Sequence, residues 1–404
     1  MSRPTVLFYC QHSLGLGHLV RSFALAGALA SRFRVVVLNG GRLPRGIPAP
    51  AGVEIISLPP LGMGTDGVLV SRDGRRTAAR ALELRRAQIL ATHAAVRPEV
   101  VFVELFPFGR KKFAVELLPL LEAARASRAL TVCSLRDILV SSKRDQAGHD
   151  ERASRVANEF FDAILVHSDP RFARLEESFR PRTPLRVPVH HTGFVVPGGE
   201  RARALAPTPA TPRRPRVVVS AGGGLYGGGL LRAAADAHRL ELADAGIDVR
   251  LVAGPFLPEA EWRALREAAR DRRGLDVRRS VPDLQAELLT AAGSVSQCGY
   301  NTALDVLGAG VPALVVPFAE GREDEQTRRA RRLEDLGAVR VLEAERADGA
   351  ALAAAIRELL RFRPAPLDLE LDGARTTTLI LANLLGRAAA PAPQGERHLM
   401  AVAG

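Results

Sequence analysis

Short apolar runs recur along the chain, and each is followed by turn residues and then by a helical pattern. In the first half the runs cover residues 6–10, 34–38, 53–58, 100–103, 129–134 and 163–166. In the second half they cover residues 216–220, 249–253, 276–279, 293–296, 313–316 and 339–342. Continuous apolar runs are typical of strands buried on both faces, and strands that alternate with helices form parallel sheets. The pattern therefore predicts an α/β chain with two open, mostly parallel sheets.

The pattern is interrupted near the middle of the chain. Residues 198–215 are rich in Pro and Gly and have no apolar periodicity, which indicates a linker. We therefore predict an N-terminal domain over residues 1–197, a linker over 198–215 and a C-terminal domain over 216–367. A further helix is predicted over 368–386, and the Ala- and Pro-rich residues 387–404 are predicted to form a disordered tail.

The composition narrows the functional classes. The formal net charge is +12, but no segment interleaves basic with aromatic residues, so we predict no nucleic-acid partner. The surplus of positive charge is compatible with an acidic substrate or with contact to an anionic membrane surface. Cys10, Cys133 and Cys298 are isolated in the sequence, which favours a reducing cytoplasm and predicts neither a zinc site nor disulfides. No segment approaches the roughly 18 apolar residues of a membrane span.

The first apolar run leads into a turn that contains glycine. Gly15 and Gly17 permit a ligand to approach the backbone closely, and His18 follows at the predicted start of a helix. A helix N-terminus disfavours the imidazolium form, so a neutral His18 could accept a proton. The turn lacks the glycine pattern of a dinucleotide or P-loop site. A simple turn followed by a packed histidine remains the alternative.

A glycine cluster follows the first strand of the second half. Gly222, Gly223 and Gly224 lie between a predicted strand and a predicted helix, where backbone N–H groups can bind phosphate. A flexible loop is the alternative, although six glycines within residues 222–229 exceed what a turn needs.

The most specific segment covers residues 296–326. Its predicted helix start contains Gly299, Tyr300, Asn301 and Thr302, whose N–H groups and hydroxyl would suit a diphosphate. One turn later, Asp305 could accept hydrogen bonds from both hydroxyls of a ribose. After the next strand come Glu325 and Gln326, a carboxylate and an amide of the kind that bind sugar hydroxyls. The alternatives are a solvated acidic helix start for residues 323–325 and a surface position for Gln326.

Together these motifs resemble glycosyltransferases of the GT-B fold. The resemblance is to the family that includes the peptidoglycan N-acetylglucosaminyltransferase, which forms lipid II. The matching elements are residues 222–229, Val281-Pro282-Asp283-Leu284, residues 298–305, Gly310-Val311-Pro312-Ala313, Pro317-Phe318 and Gln326. The turn before His18 and residues 104–110 are similar to a bacterial group of predicted glycosyltransferases within this family. The resemblance covers residues 4–386 and implies two Rossmann-like domains that face each other across a cleft.

The resemblance also implies roles in binding a nucleoside-diphosphate sugar. Residues 222–224 and 299–302 would line the diphosphate, Val281 and Leu284 would flank the base, and Asp305 would hold the ribose. Gln326 would contact the sugar. Glu325 and Arg329 stand where the peptidoglycan enzyme has Gln and Asn, which leaves the sugar open. The expected donor is a UDP-sugar, with UDP-N-acetylglucosamine as one candidate.

The implied reaction is an inverting transfer that needs neither a metal ion nor another cofactor, with His18 as the candidate base. The acceptor is expected over the strand ends of the N-terminal domain, where the candidate residues are Gly15, Gly17, Glu104, Arg110, Arg136 and Asp137. Glu104 is either a catalytic partner of His18 or acceptor contact, or the ion-pair partner of Arg110 or Arg136. The acceptor is either a small molecule or a lipid-linked one, and a lipid-linked acceptor would bring the enzyme to the inner membrane surface.

Two alternatives keep the donor site and change the function. A nucleotide-sugar hydrolase or epimerase would replace the acceptor by water or by an internal proton transfer. A non-catalytic nucleotide-sugar-binding protein would use the same fold without turnover.

Overall fold

Seven parallel strands form the first sheet of the computed structural model, which describes residues 3–12, 17–43, 48–64, 67–141, 144–196, 214–318 and 324–389. The strands of the first domain are β1 (Thr5–Cys10), β2 (Arg34–Asn39), β3 (Val53–Ser57), β4 (Leu61–Met63), β5 (Leu69–Ser71), β6 (Val100–Glu104), β7 (Leu130–Arg136), β8 (Ala163–His167) and β9 (Val189–His191). The sheet order is β3-β2-β1-β6-β7-β8-β9, while β4 and β5 form a separate antiparallel hairpin. The six predicted runs of this half all lie in the sheet.

Helices cover both faces of this sheet. They are α1 (Gly17–Leu29), α2 (Ala78–Val96), α3 (Ala114–Ala126) and α4 (Gln146–Phe160). Alternate residues of β1 enter separate cores, because successive side chains of a strand point to opposite faces. Leu7 and Tyr9 pack on the side of α2 and α3, whereas Val6 and Phe8 pack on the side of α1. The β4–β5 hairpin was not predicted, because strands of three residues give no readable alternation.

A buried ion pair ties together the ends of the first three strands. The Arg85 guanidinium of α2 lies 2.6 Å from the Glu116 carboxylate of α3, and both side chains are fully buried. Arg85 also donates to the carbonyl oxygens of Gly40 and Pro59, and Glu116 accepts a hydrogen bond from the Tyr9 hydroxyl. Pairing and additional hydrogen bonds offset the cost of removing these two charges from water. These contacts therefore fix the end of β1 and the loops that follow β2 and β3.

The second domain contains a second parallel sheet of six strands. These are β10 (Arg216–Ser220), β11 (Asp248–Val252), β12 (Leu275–Arg278), β13 (Gly293–Ser296), β14 (Ala313–Val315) and β15 (Arg340–Val341), in the order β12-β11-β10-β13-β14-β15. The helices are α5 (Gly228–Ala237), α6 (Glu259–Ala269), α7 (Leu284–Leu289), α8 (Tyr300–Ala309), α9 (Glu325–Asp335) and α10 (Gly349–Leu359). The six predicted runs of the second half correspond to these strands. The two parallel α/β domains confirm the predicted fold class.

The last helix, α11 (Gly373–Ala389), returns to the first domain. Its Leu381 is fully buried in the same core as Leu19 and Leu25 of α1. The N–H of Phe194 donates to the carbonyl of Glu370 at 2.7 Å, and the N–H of Gly373 donates to the carbonyl of Phe194 at 2.9 Å. A helix was predicted over 368–386, but its docking on the first domain was not.

Parts of the predicted organisation lie outside the described residues. Of the predicted linker, only residues 214 and 215 are described. Of the predicted tail, residues 387–389 belong to α11, and the remainder is outside the described part. None of the described helices is both long enough and apolar enough to cross a membrane.

Candidate active site

Each sheet contains a point where the chain order of its strands reverses. In the first sheet this point lies between β1 and β6, and in the second it lies between β10 and β13. Ligands of open parallel sheets bind outside the carboxyl ends of the strands at such points, because the loops diverge there. The residues that follow these four strands therefore define the candidate site.

His18 and Glu104 meet at the reversal point of the first sheet. His18 stands at the start of α1, Glu104 ends β6, and the imidazole Nδ1 lies 2.5 Å from the carboxylate Oε1. A carboxylate only accepts hydrogen bonds, so Nδ1 carries the hydrogen and Nε2 keeps the lone pair. Glu104 is fully buried, whereas 21% of the His18 side chain is exposed. The pair thus leaves one imidazole nitrogen able to take a proton.

Two arginines share the Glu104 carboxylate with His18. Arg21 donates to the same Oε1 at 2.7 Å, and Arg110 lies 3.6 Å from Oε2. Burial lowers the pKa of His18, Glu104 opposes that shift, and Arg110 and Arg21 add to it. Although burial acts to raise the pKa of Glu104, His18 and the two arginines hold that pKa below its usual range. The site therefore contains a neutral imidazole beside an ionised carboxylate at neutral pH.

The backbone after β6 turns sharply. Leu105 has φ 67° and Arg110 has φ 58°, a left-handed region that residues other than glycine seldom adopt. The N–H of Gly109 donates to the carbonyl of Leu105 at 2.7 Å and closes the turn. The turn brings Arg110 back to the Glu104 carboxylate.

Glycines bring two loops of the second domain into contact. Gly224 has φ 89°, and a Cβ there would lie 2.4 Å from the carbonyl oxygen of Ala253. Gly254 has φ 88°, and a Cβ there would lie 2.5 Å from the carbonyl oxygen of Gly222. Neither position has room for a side chain. The loop after β10 is therefore held against the loop after β11, with Gly223 between the two contact points.

The start of α8 offers free backbone donors beside that loop. Gly299 is the N-cap, and no described side chain caps the helix. The first N–H groups of a helix have no partner within the helix, and the helix dipole favours an anion there. A Cβ on Gly222 would lie 3.7 Å from the Thr302 hydroxyl. The structure thus brings together the two segments that the sequence predicts to bind a diphosphate.

Asp305 lies one turn into α8 and faces the start of α7. Burial raises the pKa of Asp305 to about 7, and the nearby Asp283 carboxylate contributes to the shift. Asp283 is the N-cap of α7 and accepts from the N–H of Ala286 at 3.1 Å. Val281 and Leu284 are half-buried against the same apolar cluster as α8. The residues predicted to hold the base and the ribose therefore lie in one region.

Glu325 and Gln326 begin α9, and both contact other protein groups. The side-chain oxygen of Gln326 accepts from the N–H groups of Cys298 at 3.0 Å and Phe318 at 3.2 Å. Within the described part of the chain, its NH₂ group donates to no other residue. Glu325 is buried, and its Oε2 lies 2.5 Å from a guanidinium nitrogen of Arg136 in the first domain. A sugar contact by Glu325 would compete with this ion pair.

The carboxyl edges of the two sheets meet at the starts of α1 and α8. The Asn301 amide donates to the carbonyl of Gly17 at 3.2 Å. The Tyr300 hydroxyl donates to the carbonyl of His167 at 2.9 Å, and the Arg21 guanidinium lies 5.2 Å from the centre of the Tyr300 ring. These contacts place His18 and the proposed diphosphate helix in the same site.

A second cross-domain ion pair joins Asp137 of the first domain to Arg329 of α9. The Arg329 Nε lies 2.7 Å from the Asp137 carboxylate. Arg136 and Asp137, both predicted on the acceptor side, thus contact the second domain in this structure.

Arg21 was not predicted as a site residue. The sequence does contain an indication of its role, because an arginine three residues after His18 lies on the same face of an otherwise apolar helix. Gly15 lies outside the described residues.

Among the described residues, no group of three or more His, Cys, Asp or Glu side chains is arranged to hold a metal ion.

Part of the sequence matches a known protein family, and the fold is similar to several solved structures. Residues 276–372 match the family model of the glycosyltransferase family 28 C-terminal domain. The fold is similar to that of CalG4, the calicheamicin glycosyltransferase, with a TM-score of 0.61 and 17% identity over 97% of this chain and 100% of that one. It is also similar to MurG of Acinetobacter baumannii, with a TM-score of 0.54 and 16% identity over 95% and 99% of the two chains. Phytolacca americana UGT2, complexed with UDP-2-fluoro-glucose and pterostilbene, gives a TM-score of 0.55 and 16% identity over 96% and 100%. No curated protein is significantly similar in sequence.

At these identities the structural likeness shows the fold alone, and that fold is GT-B. Together with the family-model match over residues 276–372, it confirms the resemblance to glycosyltransferases of the GT-B fold that the sequence showed, and it supports a glycosyltransferase activity. The match to the glycosyltransferase family 28 C-terminal domain covers the segment that contains Asp305, Glu325 and Gln326.

Proposed function

We propose that the chain transfers a sugar from a nucleoside-diphosphate sugar to an acceptor with inversion, using His18 as the base. The observation that carries this proposal is the 2.5 Å contact between His18 and Glu104 beside the start of α8. The Asn301–Gly17 hydrogen bond links that pair to the helix that would hold the diphosphate. The transfer needs a base that accepts the acceptor's proton and backbone N–H donors that stabilise the negative charge of the leaving group, and this site contains both kinds of group.

In the proposed step, an acceptor hydroxyl or amine attacks the anomeric carbon from the face opposite the diphosphate. The new bond forms while the bond to the diphosphate oxygen breaks, and its electron pair leaves with the diphosphate. The acceptor proton passes to Nε2 of His18, and Glu104 stabilises the resulting imidazolium through Nδ1. The negative charge of the leaving group is stabilised by backbone N–H groups of residues 222–224 and of the start of α8. The proposed step therefore uses no metal ion.

The proposed donor is a UDP-sugar, with UDP-N-acetylglucosamine as one candidate. Phytolacca americana UGT2, which shares the fold, is complexed with UDP-2-fluoro-glucose. In this chain, Val281 and Leu284 offer apolar contacts for a base, and Asp305 offers two oxygens for a ribose. The NH₂ group of Gln326 would contact the sugar. The buried free cysteines suit a reducing compartment, and action in the cytoplasm is part of the proposal.

Thermal unfolding with UDP, dTDP, GDP, ADP and their sugars tests the donor site. We expect UDP and its sugars to raise Tm, because a ligand that binds only the folded state stabilises it. A chain that no nucleotide stabilises would contradict the donor site.

Turnover of His18→Ala tests the base. We expect unchanged UDP affinity and a kcat lowered by about 10²–10⁴-fold. Full turnover of this variant would rule out His18 as the base. Donor consumption at the same rate with and without acceptor would favour a hydrolase, and binding without consumption would favour a non-catalytic protein.

A further inference from the structure

A basic pocket opens at the carboxyl edge of the first sheet. It has a volume of about 430 Å³ and is lined by Lys111, Arg144, Asp145, His149 and Arg152. Its volume lies within the range of small-molecule sites. None of the motifs recognised in the sequence includes these residues.

The loop after β6 connects this pocket with the His18–Glu104 pair. Lys111 directly follows Arg110, whose guanidinium lies 3.6 Å from the Glu104 carboxylate. His149 hydrogen-bonds through Nε2 to the carbonyl of Phe108 at 2.9 Å and so ties α4 to the same loop. A ligand in the pocket would therefore lie beside the loop that also contains Arg110, on the domain expected to hold the acceptor.

The charges in the pocket are unbalanced. Three permanent cations face one carboxylate, and that carboxylate is already engaged. Asp145 accepts from the N–H of Gly148 at 3.0 Å and from Arg152 at 3.1 Å. The side chains of Lys111 and Arg144 form no ion pair with any residue in the described part of the chain. The start of α4 adds the positive end of its dipole. Two cations are thus left for an external anion.

We propose that this pocket binds an anionic group of the acceptor, a phosphate or a carboxylate. The proposal rests on the proposed function, because it adds an acceptor class to the same site. Lysine and arginine bind such groups through charge-assisted hydrogen bonds. With the anion held by Lys111 and Arg144, the remainder of the acceptor would extend along the loop that contains Arg110 towards His18.

Calorimetric titration of the full chain with inorganic phosphate and with acetate tests the pocket directly. The double variant Lys111→Gln/Arg144→Gln should weaken phosphate binding at this site about tenfold, because it removes both unpaired cations. Arg86→Gln, which removes an exposed arginine of α2 outside the pocket, is the matched control and should bind as the wild type does. Stronger binding of phosphate than acetate would indicate a phosphorylated acceptor, and the reverse a carboxylated one.

Phosphate bound at the start of α8 should remain in the double variant. Identical titrations of the wild type and the double variant would therefore overturn the proposal. So would a wild type that binds neither anion.

A pair of acceptors that differ only in a phosphate or carboxylate group gives a second test. In the double variant we expect KM for the anionic acceptor to rise about tenfold while kcat and the neutral acceptor's KM stay unchanged. Equal KM values for the anionic acceptor in both proteins would refute the site. If no nucleotide stabilises the chain but phosphate binding still depends on Lys111 and Arg144, the proposed function fails and the pocket stands. If UDP binds and the affinity for phosphate is the same in the wild type and in the double variant, the proposed anion pocket is refuted and the proposed function stands.

Discussion

Arg329 donates to both carboxylate oxygens of Asp137, at 2.7 and 2.8 Å, across the boundary between the two domains. Both side chains are buried. Arg329 also donates to the carbonyl of Cys298 at 2.7 Å, next to the start of α8. Removing two charges from water is costly, and here their pairing and this third hydrogen bond offset the cost. The pair thus fixes the loop after β7 against the proposed donor site.

Asp137→Asn should lower the free energy of unfolding by about 3–5 kcal/mol, because it leaves the Arg329 charge buried without its partner. Denaturant unfolding measures the change. Glu83→Gln, which breaks the exposed Arg80–Glu83 pair, is the control and should change stability little. If Asp137→Asn kept full stability and only raised the acceptor KM, Asp137 would be an acceptor contact, as the sequence suggested.

Arg21→Met should move the acidic limb of the kcat/KM profile to higher pH. The Arg21 guanidinium lies 3.4 Å from Nδ1 of His18 and lowers the pKa of that imidazole, so its removal raises the pKa. A base works only when unprotonated, and activity is then lost at a higher pH. Glu104→Gln should move the same limb to lower pH, because the carboxylate raises the pKa of His18. Limbs that stay in place in both variants would show that His18 is not the titrating base.

Asp305→Asn should stabilise the protein above neutral pH. The pKa of Asp305 is raised to about 7 in the folded protein, against about 3.9 in an unfolded chain. The folded state then binds this proton more tightly, so the free energy of unfolding falls as pH rises from about 4 to about 7. The variant lacks this loss and should be about 2–4 kcal/mol more stable than the wild type at pH 8. Unfolding curves at pH 4 and pH 8 measure the difference.

The same variant separates stability from binding. Since the proposed ribose contact needs the ionised carboxylate, Asp305→Asn should weaken UDP binding about tenfold at pH 8. A variant whose stability differs from that of the wild type by the same amount at pH 4 and at pH 8, or that binds UDP normally, would contradict the assignment.

Gly224→Ala should destabilise the second domain by roughly 2 kcal/mol or more, because φ is positive and the new Cβ would meet a carbonyl oxygen. It should also weaken UDP binding by displacing the loop after β10. Gly229→Ala is the matched control, since a Cβ there meets nothing within 4 Å and the residue lies in α5. Thermal unfolding and UDP titration of both variants provide the measurements. Equal effects of the two substitutions would argue against a close approach at Gly224.

The sheets were predictable because buried parallel strands leave continuous apolar runs in the sequence. The two proposed phosphate-binding segments were recognisable for a similar reason, since glycines at strand-to-helix junctions are a local feature. The cross-domain pairs were not predictable: Asp137 and Arg329 are 192 residues apart, and nothing local to either indicates the other. The same holds for Arg136 with Glu325 and for the docking of α11. The basic pocket was missed because its residues come from separate segments that only the fold brings together.

The return of α11 means that the chain passes between the domains twice, once after Val196 and once before Gly373. Val195 and Asp372, which lie at the described ends of these two passages, form an antiparallel bridge. The bridge therefore ties the end of the first domain to the segment that leads into α11. Because the chain joins the domains twice, the domain that holds His18 is connected covalently to the domain that holds the start of α8 at two places along the sequence.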